Sequence, residues 1–293
     1  MPNDYHQKLR RSVAVTKSPL PLRLMRRPMR LISSKLLEKR AIRSGQPVMV
    51  RAKTFWGARM NVALPEPVSI ALHRYGHFEP ELTSMVIEYL KPGGVFFDIG
   101  THFGYFTLLA SSIVGASGAV HSFEPTPSTF KVLHSNVRDL PNVKAFNLAM
   151  YSQEMEIPFN DYGVAYSAFN SLFAPRLSAQ EAAALQTSKV MVRTTTVDRH
   201  VESTGVRPTF VKIDAESAEL AILEGMERTI AQVRPIISVE VGDVDIEGVA
   251  DSKDLVKRLL DRGYRALEHS EGQIREHRVR ERYEYDNILF IPQ

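Results

Sequence analysis

Cysteine is absent from the 293 residues, so the chain has no disulfide framework, no thiolate metal site and no thiol nucleophile. That absence fits a reducing, cytoplasmic compartment. No run of about 18 apolar residues occurs, so no transmembrane helix is expected. No apolar signal core is seen near the N-terminus. The pyrophosphate-binding triad G-x-G-x-x-G is also missing, which argues against a nicotinamide-dependent dehydrogenase. Acidic residues are scarce at the start. Residues 1–53 hold 14 Lys/Arg against only Asp4 and Glu38, a net +12, which leaves −8 for the rest of a +4 chain. The basic character therefore belongs to an arm and the body is acidic. A nucleic-acid enzyme more often carries its positive charge on the catalytic face, so nucleic acid is not the expected partner.

What is present centres on V-F-F-D-I-G-T-H-F-G-Y-F-T, Val95 to Thr107. The apolar run ending in Asp98 reads as a buried parallel strand. Gly100 and Gly104 then form a tight turn, and a helix-compatible apolar run follows. This is the first βα unit of a doubly wound nucleotide-binding fold. A second short strand, Val120–Phe123, ends in Glu124, placed for ribose hydroxyls. Asp98 beside the turn would repel a pyrophosphate and attract a ligand carrying an ammonium and a sulfonium. S-adenosylmethionine has both cations, adenosine and no phosphate.

Three regions are expected: a basic N-terminal arm (1–45), a β-hairpin and helix region (46–93), and the cofactor-binding domain (94–293). In the arm, Pro21 and Pro28 prevent one continuous helix, and Leu31–Ile42 reads as amphipathic. Contact with an anionic membrane surface through residues 1–45 is an expectation from this mixture of leucines and cations. Residues 47–63 alternate as two strands around Phe55-Trp56-Gly57. Further strands are expected at 143–148, 189–197, 209–214, 235–241, 263–267 and 283–291. Helices are expected at 81–90, 218–232 and 252–262, with a short one capped by Ser178 and Glu181. The 189–197 strand is expected to extend the main sheet.

Five motifs in order, Y-G-H-F-E (75–79), D-I-G-T-H-F-G-Y-F-T (98–107), F-E-P (123–125), K-I-D-A-E-S-A-E (212–219) and N-I-L-F-I-P (287–292), resemble those of FkbM-family methyltransferases. The resemblance covers about residues 50–293. It implies S-adenosylmethionine-dependent O-methylation of a sugar, glycan, glycolipid or secondary-metabolite hydroxyl. It also implies an α/β Rossmann-like class I fold with a seven-stranded, mostly parallel sheet and helices on both faces. Cofactor contacts are expected from Asp98, Gly100, Thr101, Phe103, Gly104, Glu124 and Pro125. Two departures stand out: Thr101-His102 replace the family's usual Ala-Asn, and Ser217 replaces its usual Gly.

Ligands in open α/β sheets lie outside the carboxyl ends of the strands. Asp98, Glu124, Asp214 and Glu240 each end an expected strand. With Asp98 and Glu124 given to the cofactor, Asp214 is the favoured base or acceptor-orienting group. Glu216, Glu240 and His102 are the further catalytic candidates. Among these candidate residues no close H-x-x-x-H or D-x-D spacing occurs, so no metal is expected. Two rivals remain: an RNA methyltransferase using the basic arm, and a non-catalytic binding protein retaining the fold. The first lacks an (N/D)-P-P-(F/Y) tetrad, having Asp214-Ala215-Glu216-Ser217 instead. Intact glycines and acids argue against the second.

Overall fold

A computed structural model describes residues 2–170, 188–243, 251–270 and 272–293. The expected helix at Ser178–Glu181 lies outside the described residues. Three helices open the chain: α1 (Pro2–Lys17), α2 (Leu20–Arg26) and α3 (Pro28–Ser44). Pro21 and Pro28 sit in the first turns of α2 and α3, where a missing N–H costs nothing. This segment is packed onto the body. Leu9, Leu31 and Ala41 are buried, Arg27 donates to the carbonyl of Tyr75 at 2.5 Å, and Arg74 forks onto Glu38 at 2.7 and 2.8 Å. Next come the hairpin β1 (Val48–Lys53) and β2 (Arg59–Leu64), then α4 (Pro67–Tyr75) and α5 (Pro80–Tyr89).

From residue 95 the chain alternates strand and helix: β3 (Val95–Ile99), α6 (Tyr105–Val114), β4 (Ala119–Phe123), α7 (Pro127–Val137) and β5 (Val143–Phe146). It continues through β6 (Ala149–Met150), β7 (Glu156–Asp161), β8 (Ser188–Thr195), α8 (Val197–Thr204) and β9 (Phe210–Ile213). Two short helices, α9 (Glu219–Glu224) and α10 (Glu227–Gln232), lead to β10 (Ile236–Val241). The chain closes with α11 (Ser252–Asp261), β11 (Tyr264–Ser270), β12 (Gln273–Glu276) and β13 (Asp286–Pro292).

The main sheet runs β12-β11-β13-β10-β9-β3-β4-β5. Parallel pairing joins β10, β9, β3, β4 and β5, and β13 enters antiparallel between β10 and β11. It has eight strands rather than seven, because β12 folds back antiparallel on β11. Both faces of the central strands are buried, as helices on each side require. Phe96 packs on Phe210 at 5.3 Å on one face. Phe97 stacks on His121 at 5.3 Å on the other.

Two further expectations are corrected. The strand at 189–197 pairs with β7 and β6 in a separate three-stranded sheet and does not extend the main one. The helix expected at 218–232 breaks at Gly225-Met226. A Cβ on Gly225 would lie 2.1 Å from the Tyr151 carbonyl oxygen, and Asp198 caps the second piece by accepting from the N–H groups of Arg228 and Thr229.

Candidate active site

The carboxyl ends of β3, β4, β9 and β10 open on a cavity of about 340 Å³, within the size range of small-molecule sites. Its floor is the loop 100–104. Gly100 and Gly104 take φ of 74° and 93°, a region glycine enters without strain. At Gly100 the need is also spatial: a Cβ would lie 1.6 Å from the Asp214 carbonyl oxygen. Four of the loop's five backbone donors are engaged by the protein itself. The N–H groups of Gly100 and Thr101 both donate to the Phe123 carbonyl, that of His102 to Glu124, and that of Gly104 to the Thr101 carbonyl. No phosphate cradle is left among these four.

Glu124 lines the cavity and is buried. Its Oε1 accepts from the Thr126 N–H and its Oε2 from the His102 N–H, both at 3.0 Å. Burial still pushes its carboxyl up to about 7. Asn147, which sequence reasoning did not single out, fixes the same corner through the carbonyls of Glu124 and Pro125. Thr101, Phe103 and Pro125 also line the cavity. Thr101 also pins the loop, its hydroxyl donating to the Asp98 carbonyl at 2.8 Å.

Asp98 and Gly104 are not among the lining residues. The Asp98 side chain is fully buried, accepts from the Thr107 hydroxyl at 2.6 Å and lies 3.9 Å from the Lys212 ammonium. Burial pushes its carboxyl up, against the pull of Lys212. In this geometry the Asp98 side chain, expected to contact the cofactor, engages Lys212 and the first turn of α6. Gly104 serves by its backbone, since a Cβ there would lie 2.8 Å from Leu133.

His102 lines the cavity at φ 53°. Its ring stacks on Phe103 at 3.9 Å and its Nε2 meets the Ser167 hydroxyl at 2.7 Å. That hydroxyl donates to the Val164 carbonyl at 3.1 Å, so both bonds are satisfied when His102 carries its proton on Nε2. Burial lowers the imidazole's pKa, which keeps the ring neutral.

Opposite lie the carboxylates. Asp214, Glu216 and Glu240 all line the cavity, and Glu79 stands beside them. Glu79, Asp214 and Glu240 each offer an oxygen within 4.8 Å of the others. Lys212, buried within β9, donates to Asp214 at 2.9 Å. Burial acts to discharge this ammonium, but Asp214, Asp98 and Glu79 outweigh burial and hold it charged. Burial, then repulsion from Asp214, pushes Glu79 up to about 7. Glu79 also accepts from the Tyr285 hydroxyl, 206 residues away in sequence. The Tyr285 ring is 57% exposed while its hydroxyl turns inward. Glu219 organises the loop before α9 by accepting from the N–H groups of Ala215 and Ser217. Glu216 and Ser217 both sit at positive φ, 47° and 82°.

Sequence reasoning missed Lys212, Tyr285 and the place of Glu79 beside Asp214 and Glu240. A signal existed for Lys212, an isolated cation in the apolar run Phe210–Ile213. None existed for Tyr285, which only the tertiary fold brings to Glu79.

The arrangement suits S-adenosylmethionine. Four acids line the cavity against one ammonium, itself bonded to Asp214, and the loop keeps no phosphate cradle. The open, mostly parallel sheet with this cavity at its carboxyl edge is the architecture of class I S-adenosylmethionine-dependent methyltransferases. Residues 98–266 match the methyltransferase FkbM domain, and the chain belongs to that family. The hexuronic acid methyltransferase AglP of Haloferax volcanii is 28% identical over 184 residues, 62% of this chain and 67% of that protein. Among solved structures, methyltransferase FkbM from Methylobacillus flagellatus is 13% identical with a TM-score of 0.42, over 75% of this chain and 52% of that one. The chain thus spans about half of that structure's length. Fibrillarin from Aeropyrum pernix, solved with natively bound S-adenosyl-L-methionine, is 12% identical with a TM-score of 0.43, over 83% of this chain and 99% of that one.

Proposed function

We propose that this protein methylates a hydroxyl of a sugar, glycan or glycolipid. The observation that carries the reading is the carboxylate cluster at the cavity wall, Asp214 and Glu240 with Glu79 beside them. The sugar-acid specificity in the name of AglP supports the acceptor class.

When bound, S-adenosylmethionine supplies a methyl group already activated on a sulfonium. The protein must add alignment of the acceptor oxygen and a place for its proton. Glu124, fixed by two backbone N–H groups, would hold the ribose hydroxyls. The acids lining the cavity would favour the cationic end. Asp214, aimed by Lys212, orients the acceptor hydroxyl and takes its proton as the new bond forms. Glu79, with its carboxyl near 7, supplies the cluster with a group that changes protonation close to neutrality. His102 acts on the loop: its N–H holds Glu124 and its ring covers Phe103.

The three-carboxylate cluster is also of a size to hold a divalent cation. Lys212 already supplies positive charge there, so transfer is expected to proceed without metal. The test is methyl transfer from labelled S-adenosylmethionine to neutral hexosides, hexuronosides and a short RNA, with and without a chelator. Transfer to a glycoside hydroxyl in chelator supports the reading. Methylation of RNA alone would replace it. Activity lost in chelator and restored by magnesium would assign the cluster to a metal.

A further inference from the structure

The N-terminal helices carry a face that the body does not cover. Eight of the fourteen exposed large apolar side chains among the described residues fall between residues 20 and 42. Met25 is 80% exposed and Met29 83%. Such a concentration of exposed apolar side chains on one segment is unusual for a protein surface. On α3 the pattern is ordered. At 100° per residue, Met29, Ile32 and Leu36 fall within about 60° of one another. The face that packs on the body, Leu31, Ser34 and Ala41, points the other way. Exposed cations edge the apolar ridge: Lys35 and Lys39 on one side, Arg40 on the other, with Arg43 continuing its line. From residue 20 to 43 there are eight Lys/Arg and one acid, Glu38, which is engaged by Arg74.

We infer that the outer face of α2 and α3 docks on an anionic lipid surface, lying in the plane of the headgroups. The ridge enters the apolar boundary while the flanking cations meet lipid phosphates, the pattern of an interfacial amphipathic helix. Charge selects this occupant. A second copy of the chain would bring eight like charges against eight, whereas an anionic bilayer offers both negative charge and an apolar layer. No described helix is long and apolar enough to cross a membrane, so the contact is peripheral. The position suits the site. Arg74 of α4 ties that helix to Glu38 of α3, while Pro67, Val68 and Leu72 at α4 line the cavity. Resting on the glycan reading, docking would present the cavity to acceptors held at a bilayer.

The test is co-sedimentation of the full chain with neutral phosphatidylcholine vesicles and with vesicles of about one-third phosphatidylglycerol. Binding is expected to the anionic vesicles alone, falling steeply at about 0.5 M salt. The M29E/I32E/L36E variant is expected to lower partitioning at least about tenfold. The K35E/K39E/R43E variant is expected to lower it about 100-fold. These side chains are exposed, so circular dichroism and cofactor affinity should match wild type. No vesicle binding, equal binding to neutral vesicles, or a stable dimer broken by M29E/I32E/L36E would each overturn the inference. So would RNA binding that outcompetes the vesicles. Vesicle binding and methyl transfer are read separately, so failure of either is distinguishable.

Discussion

In the proposed mechanism Asp214 and Glu79 divide the work at the acceptor end, and substitutions separate them. Asp214→Asn keeps shape and removes basicity. Single-turnover transfer should slow on the order of 10²-fold while cofactor affinity stays within about threefold. Wild-type rates would return Asp214 to a purely structural role. Glu79, pushed up to about 7 by burial and Asp214, predicts a rate that rises as pH passes through 7. Glu79→Gln should remove that limb, and its persistence would assign the limb to another group. Ser217 stands where the family usually has glycine, at φ 82°. A left-handed serine costs about 1–2 kcal/mol, and glycine returns about 0.4–1 of that through the unfolded chain. Ser217→Gly should therefore raise Tm slightly, by up to about 4 °C. A fall would mean that the serine side chain makes contacts worth more than the strain.

Among the elements, the break between α9 and α10 is the sharpest conflict between local pattern and tertiary packing. Leu220, Leu223, Met226 and Ile230 lie at helical spacing, and that spacing alone reads as one helix. Gly225 against the Tyr151 carbonyl and the Asp198 cap divide it, and both partners come from elsewhere in the chain. In an unbroken helix Gly225→Ala would stabilise by about 1 kcal/mol. Here it should destabilise by about 1–3 kcal/mol, read as a lower urea midpoint. The strands that build the site were legible because apolar runs ending in an acid are local signals. Strand 189–197 was legible as a strand but not as part of a separate sheet, since pairing is set by β7 and β6. Asp98 was legible as buried and acidic. Its engagement with Thr107 and Lys212, away from the cavity lining, depends on side-chain packing that spacing does not encode.

For the whole molecule, buried titratable groups pull stability in opposite directions. Burial raises Glu79 and Glu124 to about 7. The native state keeps protons that an unfolded chain loses near 4.5, so their contribution is present below 4.5 and lost as pH rises through 7. Burial lowers His77, His121 and His200 to about 4. Their contribution is present above 6.5 and lost as pH falls toward 4. The two sets offset each other in wild type, so a variant is the cleaner readout. Glu124→Gln should lose less stability than wild type between about pH 5 and 8. An unchanged slope would mean that Glu124 does not carry a raised pKa. The central claim is that the acidic, cradle-free cavity takes S-adenosylmethionine. Isothermal titration of wild type and Glu124→Ala with S-adenosylmethionine and with NADH tests it most directly. The expected result is micromolar affinity for S-adenosylmethionine, about −7 to −8 kcal/mol, weakened by about 1–3 kcal/mol in Glu124→Ala, and no heat with NADH. Tight NADH binding, or S-adenosylmethionine affinity unchanged by Glu124→Ala, would contradict it.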